Sequence, residues 1–151
     1  MPALVPDDFD VPAGITTPQF VLEPLGPQHN EADQAAWTTS IEHIKATPGF
    51  AGRNWPSRVM TLPENEADLV RHARDYQDRT GFAYTVLDPA DRDVIGCVYF
   101  YPPRPERAGY DVDVRSWVRA DRATLDKPLY DLVCGWLAEA WPFRAPDYAE
   151  R

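Results

Sequence analysis

Several groups of side chains in this chain have the types and spacing to do chemistry. Glu42 and His43 are neighbours in a predicted helix, and Asp113 lies on a predicted strand; a carboxylate or an imidazole in such a place can take a proton from a bound donor. Arg53 and Trp55 share a loop rich in proline and glycine, where a guanidinium and an indole can hold a carboxylate or stack on a ring. Tyr99, Tyr101 and Arg115 fall on neighbouring strands and can line a pocket. The segment Arg119-Ala120-Asp121-Arg122-Ala123-Thr124-Leu125-Asp126-Lys127-Pro128 joins a strand to a helix, a position that favours an anion. It contains no glycine.

Each group also has a plainer reading. Ile41 and Ile44 take the inward positions of their helix, which turns Glu42 and His43 toward solvent or sideways. Asp113 and Arg115 read equally as an ion pair, Tyr99 and Tyr101 as packing, and Trp55 as the anchor of an irregular loop. No set of His, Cys, Asp and Glu has metal-ligand spacing, and no nucleophile elbow or Walker loop is present.

The elements that must position these residues follow from periodicity. Gln19–Leu25 is a short strand stopped by Gly26-Pro27, and one helix runs from Asn30 to Ala46 with Asp33, Ala36, Trp37, Ser40, Ile41 and Ile44 inward. Thr61-Leu62-Pro63-Glu64 forms a capping box that opens a second helix, with Gly81 as its stop. Phe82–Leu87 and Val94–Tyr101 are strands, the second apolar on both faces and therefore central. In Tyr110–Val118 the residues Val112, Val114, Ser116 and Val118 face one way, and Asp111, Asp113, Arg115 and Trp117 the other. Leu125 to Trp141 keeps a helical period, Pro142 ends it, and Tyr148 sits on a short last strand.

Bulk properties bound the class. A chain of 151 residues that is 44% apolar suits one domain with a real core, preceded by an extended proline-rich arm over residues 1–18. Phe9, Val11 and Ile15 would pin that arm. The net charge of −9, with lysine only at Lys45 and Lys127, excludes a nucleic-acid partner. No run is long and apolar enough to span a membrane, and the first residues lack the pattern of a signal peptide. Cys97 and Cys134 read as free thiols of a cytoplasmic protein.

The order strand, two helices, three-strand meander and crossover helix resembles the GNAT superfamily of acyl-CoA-dependent N-acyltransferases. Phe20-Val21-Leu22-Glu23-Pro24-Leu25 looks like the family's opening strand, Val94-Ile95-Gly96-Cys97-Val98 like its hydrophobic-Gly third strand, and Asp113-Val114-Arg115-Ser116-Trp117-Val118 like the strand that ends at the cofactor. The resemblance implies an α/β (α+β) domain over residues 19–151, with a mixed, mainly antiparallel sheet of about five strands and three helices. It also implies a C-terminus shorter than the family's, a gap that a homodimer could fill.

The activity so implied is an N-acetyltransferase passing an acyl group from acetyl-CoA or another acyl-CoA to a small amine. The main chain of Ser116, Trp117 and Val118 would align the cofactor, Arg119 and Arg122 would hold its phosphates, and Glu42, His43 or Asp113 would take the proton. Arg53, Trp55, Tyr99, Tyr101 and Arg115 would bind the acceptor. The family's pyrophosphate loop, Gln/Arg-x-x-Gly-x-Gly/Ala, places its basic position on Ala123 and its small positions on Asp126 and Pro128. That departure supports the alternative of a non-catalytic GNAT-like module that binds a small molecule or a protein and has lost CoA binding.

Overall fold

The computed structural model describes residues 3–56 and 58–151. A single six-stranded sheet runs in chain order: β1 (Ile15–Thr16), β2 (Val21–Pro24), β3 (Phe82–Leu87), β4 (Val94–Tyr101), β5 (Val112–Val118) and β6 (Pro146–Tyr148). Every neighbouring pair is antiparallel except β5 and β6, which are parallel because a helix crosses between them. The helices are α1 (Asn30–Thr38), α2 (Ile41–Ala46), α3 (Leu62–Asp78) and α4 (Asp126–Ala140).

Period-two alternation divides the core. Phe82, Tyr84, Ile95, Val98, Phe100, Val112, Val114 and Val118 face α4, which answers with Leu129, Val133, Trp136 and Leu137. Ala83, Leu87, Val94, Cys97, Tyr99 and Trp117 face Ala36, Trp37, Ile44 and Leu69 of the other three helices. Full burial of each large side chain is worth about 1.5–3 kcal/mol, and both layers hold many of them. Gly96 allows β4 to lie close to β5: a Cβ there would stand 2.3 Å from the Trp117 carbonyl oxygen.

The sheet has one strand more than about five, because Ile15–Thr16 of the proline-rich arm pairs with β2. The arm is tied down further along. Tyr76 and Tyr84 both donate to the Pro12 carbonyl, Arg79 donates to the carbonyls of Pro6 and Phe9, and Val5 is buried.

Four helices stand where three were expected, because the helix predicted over Asn30–Ala46 is two. The Thr38 and Thr39 hydroxyls donate back to the Gln34 and Ala35 carbonyls, and Ser40 leaves the helical region at φ −130°. The Ser40 hydroxyl accepts from the Ala120 N–H, so the break fastens α2 to the turn ahead of α4. The capping box of α3 is present as expected, Thr61 Oγ1 accepting from Glu64 N–H and Glu64 from Thr61 N–H. Its stop is not Gly81 but Arg79, which takes φ 63°; Gly81 instead gives room to the Tyr101 ring.

Candidate functional site: a filled groove beside an arginine-lined cleft

The parallel pair is where the sheet opens. β5 and β6 match at Val112–Pro146, Asp113–Asp147 and Val114–Tyr148, and there the ladder ends although β5 continues to Val118. Arg119 N–H bonds to Ile95 on β4, so by alternation Trp117 turns its main chain to β4 while Ser116 and Val118 turn theirs to the opened side. α2 lies across this opening: Ser40 ahead of it meets Ala120, and Gly49 beyond it lies against Arg115 and Ala149.

The opening is filled from within. The Arg151 guanidinium donates to the Ser116 carbonyl at 2.8 Å, to Ser116 Oγ at 3.2 Å and to Asp126 Oδ2 at 2.7 Å, with a fourth bond to the Ala149 carbonyl. It lies 5.5 Å from the Tyr148 ring and 5.6 Å from that of Tyr130, and its side chain is only 4% exposed. The Tyr148 hydroxyl bonds to Ser116 Oγ, and burial pushes that phenol's pKa up. The Ser116 carbonyl, which the resemblance would assign to aligning a cofactor, is therefore bonded to a side chain of the same protein.

The turn after β5 is a 3-10 stretch, Ala120–Leu125, and its cations are engaged. Arg119 pairs with Asp93 at 2.7 Å and Asp121 at 2.9 Å, and Arg122 with Asp88 at 2.8 Å. Ala123 is exposed. Asp126 opens α4 with a carboxylate at the end of the helix where an anionic ligand would otherwise sit, and Pro128 removes an N–H from the first turn. These features do not fit a CoA pyrophosphate, which needs free main-chain donors and free cations.

The proposed proton acceptors separate. Glu42 is solvated, 3.9 Å from Lys45. Asp113 is buried and bound to Arg53 at 3.0 Å, with Arg115 Nε at 3.6 Å from its other oxygen. His43 is half-buried, and its Nε2 is buried with no hydrogen-bond partner among the described residues.

The proposed acceptor residues form two places rather than one. Trp55, Tyr99 and Arg115 line a hollow of about 140 Å³ with Asp68, Arg71 and His72. Trp55 is also a packing hub, its ring 5.4 Å from Trp37 and 6.1 Å from both Phe50 and Trp117. Arg115 lies over the Tyr99 ring at 5.0 Å, and burial followed by repulsion from Arg53 lowers its pKa from the usual arginine range. Tyr101 lies apart from them and is only half-buried, its hydroxyl donating to Asp75 and bonding to His72 Nδ1. His72 itself is buried. Arg53 lines a separate cleft with Arg104, Arg107 and Asp147.

Sequence reasoning missed Arg151, Tyr130, Arg104, Arg107 and Asp147, because nothing in local spacing brings the last residues of the chain beside Ser116. No group of three or more His, Cys, Asp or Glu that could hold a metal occurs among the described residues, and no helix there is long and apolar enough to cross a membrane.

One buried acid outside these places sets a pH dependence. Asp33 is raised from 3.8 to about 6 by burial, which outweighs the hydrogen bond it accepts from Asn65 at 3.1 Å. Between pH 3.8 and 6 the folded protein holds a proton that the unfolded chain has lost, so this group's contribution falls as pH rises through that window. Asp33→Asn is expected to be as stable as the parent near pH 3. It gains steadily to about 3 kcal/mol at pH 7, the worth of about two pK units. Urea titrations of both proteins across pH 3–8 check it; a gap that does not widen with pH contradicts it.

No protein-family model and no curated protein sequence matches the chain. Solved structures do. The ribosomal-protein-S5-alanine acetyltransferase of Vibrio fischeri superposes with a TM-score of 0.61 at 13% identity, over 87% of this chain and 69% of that one. The microcin C7 self-immunity acetyltransferase MccE, solved with acetyl-CoA and AMP, gives 0.60 at 14% identity, over 86% and 70%. RimL, a ribosomal L7/L12 α-N-protein acetyltransferase solved with coenzyme A, gives 0.58 at 12% identity, over 83% and 66%. At such identities the likeness is one of fold.

Proposed function

We infer that this chain, which has the fold of the GNAT acetyltransferases, is a small-molecule-binding module in which acyl-CoA chemistry has been given up. The carrying observation is Arg151, bonded to the Ser116 carbonyl and paired with Asp126 at the head of α4. A fold does not by itself supply an activity, and the chain's own side chains hold the positions that the resemblance assigned to a pantetheine amide and a pyrophosphate, which supports this reading. The hollow at Trp55 and the cleft at Arg53 remain open to a ligand on the α1–α3 side and at the β5–β6 edge.

A second reading, an N-acyltransferase acting on a small amine, is favoured by the parting of β5 and β6 and by the unpartnered Nε2 of His43. Under it acetyl-CoA would bring the acyl thioester, Arg151 would leave the groove, and His43 is the residue free to accept a proton.

Calorimetric and thermal-shift titration with acetyl-CoA separates the two, because a ligand that binds only the folded protein raises its melting temperature by mass action. We expect no saturable binding by the native chain at millimolar acetyl-CoA. Saturable binding would overturn the module reading. His43→Gln should then lower turnover on an amine panel at least about 100-fold, within the range usual for a general base.

A further inference from the structure

Positive charge gathers at one place on a chain whose net charge is −9. Arg53, Arg104 and Arg107 line a cleft of about 510 Å³ between the Gly49–Arg53 loop, the Pro105–Arg107 turn and the paired starts of β5 and β6. Arg115 stands behind it, against Asp113. The acids lining the cleft are Asp113 and Asp147, and both are already bound. Asp113 accepts from Arg53 at 3.0 Å, and Asp147 accepts from Nε and Nη2 of Arg107 at 2.9 and 3.1 Å.

Two guanidinium groups have an acid within ion-pair range, Arg104 with Glu106 and Arg115 with Asp113, but make no hydrogen bond from Nε. Arg104 Nε is buried with no hydrogen-bond partner among the described residues, Glu106 being 3.7 Å away, and Arg115 Nε is in the same condition. A buried N–H on a cation is expensive to leave unmade, more so than on a neutral group. Arg53 and Arg107 have donors to spare as well. Each commits two of its five N–H groups, Arg53 to Gly49 O and Asp113, and Arg107 to Asp147. Stacking at 4.7 Å on Tyr110 holds Arg107 in place before any ligand arrives.

We propose that this cleft binds the oxyanion of a small acidic molecule, a carboxylate or a phosphate, with Arg104 as its direct ligand and the spare donors of Arg53 and Arg107 completing the fork. Planar guanidinium groups suit either oxyanion by paired N–H···O bonds. The fields of the three arginines meet in the cleft: Asp147 is held below the usual carboxylate range by Arg107 first, with Arg104 and Arg53 adding to it. An ammonium group offers the Arg104 donor no acceptor, and an amide carbonyl offers one without the negative charge that strengthens the bond. The proposal names the ligand class for the binding module inferred above and rests on that reading. Its test contains no CoA, so the two fail separately.

The test is an NMR titration of the 15N-labelled protein at low salt with succinate, inorganic phosphate and neutral succinamide. Expected are saturable shifts of the Arg104 and Arg107 Nε–Hε signals with succinate or phosphate and none with succinamide. The tighter of the two anions identifies whether the natural ligand carries a carboxylate or a phosphate. Arg104→Gln, on an exposed turn away from the core, should weaken the tighter anion about tenfold, the loss of one charge-assisted bond. Equal shifts with succinamide, no saturation with either anion, or an affinity unchanged in Arg104→Gln would overturn the proposal.

Discussion

Arg151→Met is expected to cost about 3–5 kcal/mol of stability, because it leaves the half-buried Asp126 carboxylate and the buried Ser116 carbonyl without their donor. For a chain of this size that corresponds to a fall of about 6–20 °C in Tm. Methionine keeps an apolar stem between Tyr130 and Tyr148, so the loss reports the charge and its hydrogen bonds more than lost packing. Asp126→Asn in the same background should return part of the loss, since the two groups share one interaction and their effects do not add. Thermal and urea unfolding of the single and double variants gives the coupling. A loss below about 1 kcal/mol, the range of an exposed pair, would mean that Arg151 does not seal the groove. The same variant tests what the seal excludes. Acetyl-CoA binding that appears only in Arg151→Met would assign the exclusion to this one side chain, and its absence there would extend the exclusion to the turn at Asp126.

Asp113→Ala should be comparably damaging, at about 3–5 kcal/mol. Asp113 is 6% exposed and is the acid that answers Arg53 and Arg115, so its removal leaves two mostly buried guanidinium groups without their shared acid. Arg115 already carries the cost of burial and of its neighbour's charge, as its lowered pKa records. The double variant Asp113→Ala with Arg53→Met should recover much of the loss, because it removes the stranded charge together with its partner. Denaturant unfolding at pH 7 measures both. Equal stability of Asp113→Ala and the parent would contradict the buried network. The ordinary reading of Asp113 as one member of an ion pair, weighed from the sequence against a role as base, is the one its contacts favour.

Much of the frame was legible because it is set by short-range patterns. The strands Phe82–Leu87 and Val94–Tyr101 stand where aromatic and β-branched content, and a run apolar on both faces, placed them. β5 shows the alternation read from its sequence, with Val112, Val114 and Val118 toward α4 and Trp117 toward the opposite layer. The box at Thr61 and Glu64 and the end of α4 before Pro142 follow from capping and from proline's missing donor. The break at Thr39-Ser40 was not legible: its helical period continues through Ser40, and what ends α1 is hydroxyl back-bonding and a partner 80 residues away.

The candidate site divides along the same line. That the turn after Val118 lacks glycine, and carries Asp126 and Pro128, is written in the chain and already argued against a phosphate cradle. Arg119 and Arg122 looked available there because their partners Asp93 and Asp88 lie in another turn, brought near only when β4 pairs with β5. Trp55, Tyr99 and Arg115 do meet in one hollow, while Arg53 was drawn to Asp113 and into a different cleft.

By itself the sequence determined the order of elements, the two faces of the central strands and the missing glycines, since these depend on each residue's own geometry and on neighbours a few positions away. Only the folded chain decided which charges are spent and which stay free. An arginine's role is set by the carboxylates near it in space, and here such a partner lies as few as two residues away, for Arg119 and Asp121, or as many as 69, for Arg92 and Glu23.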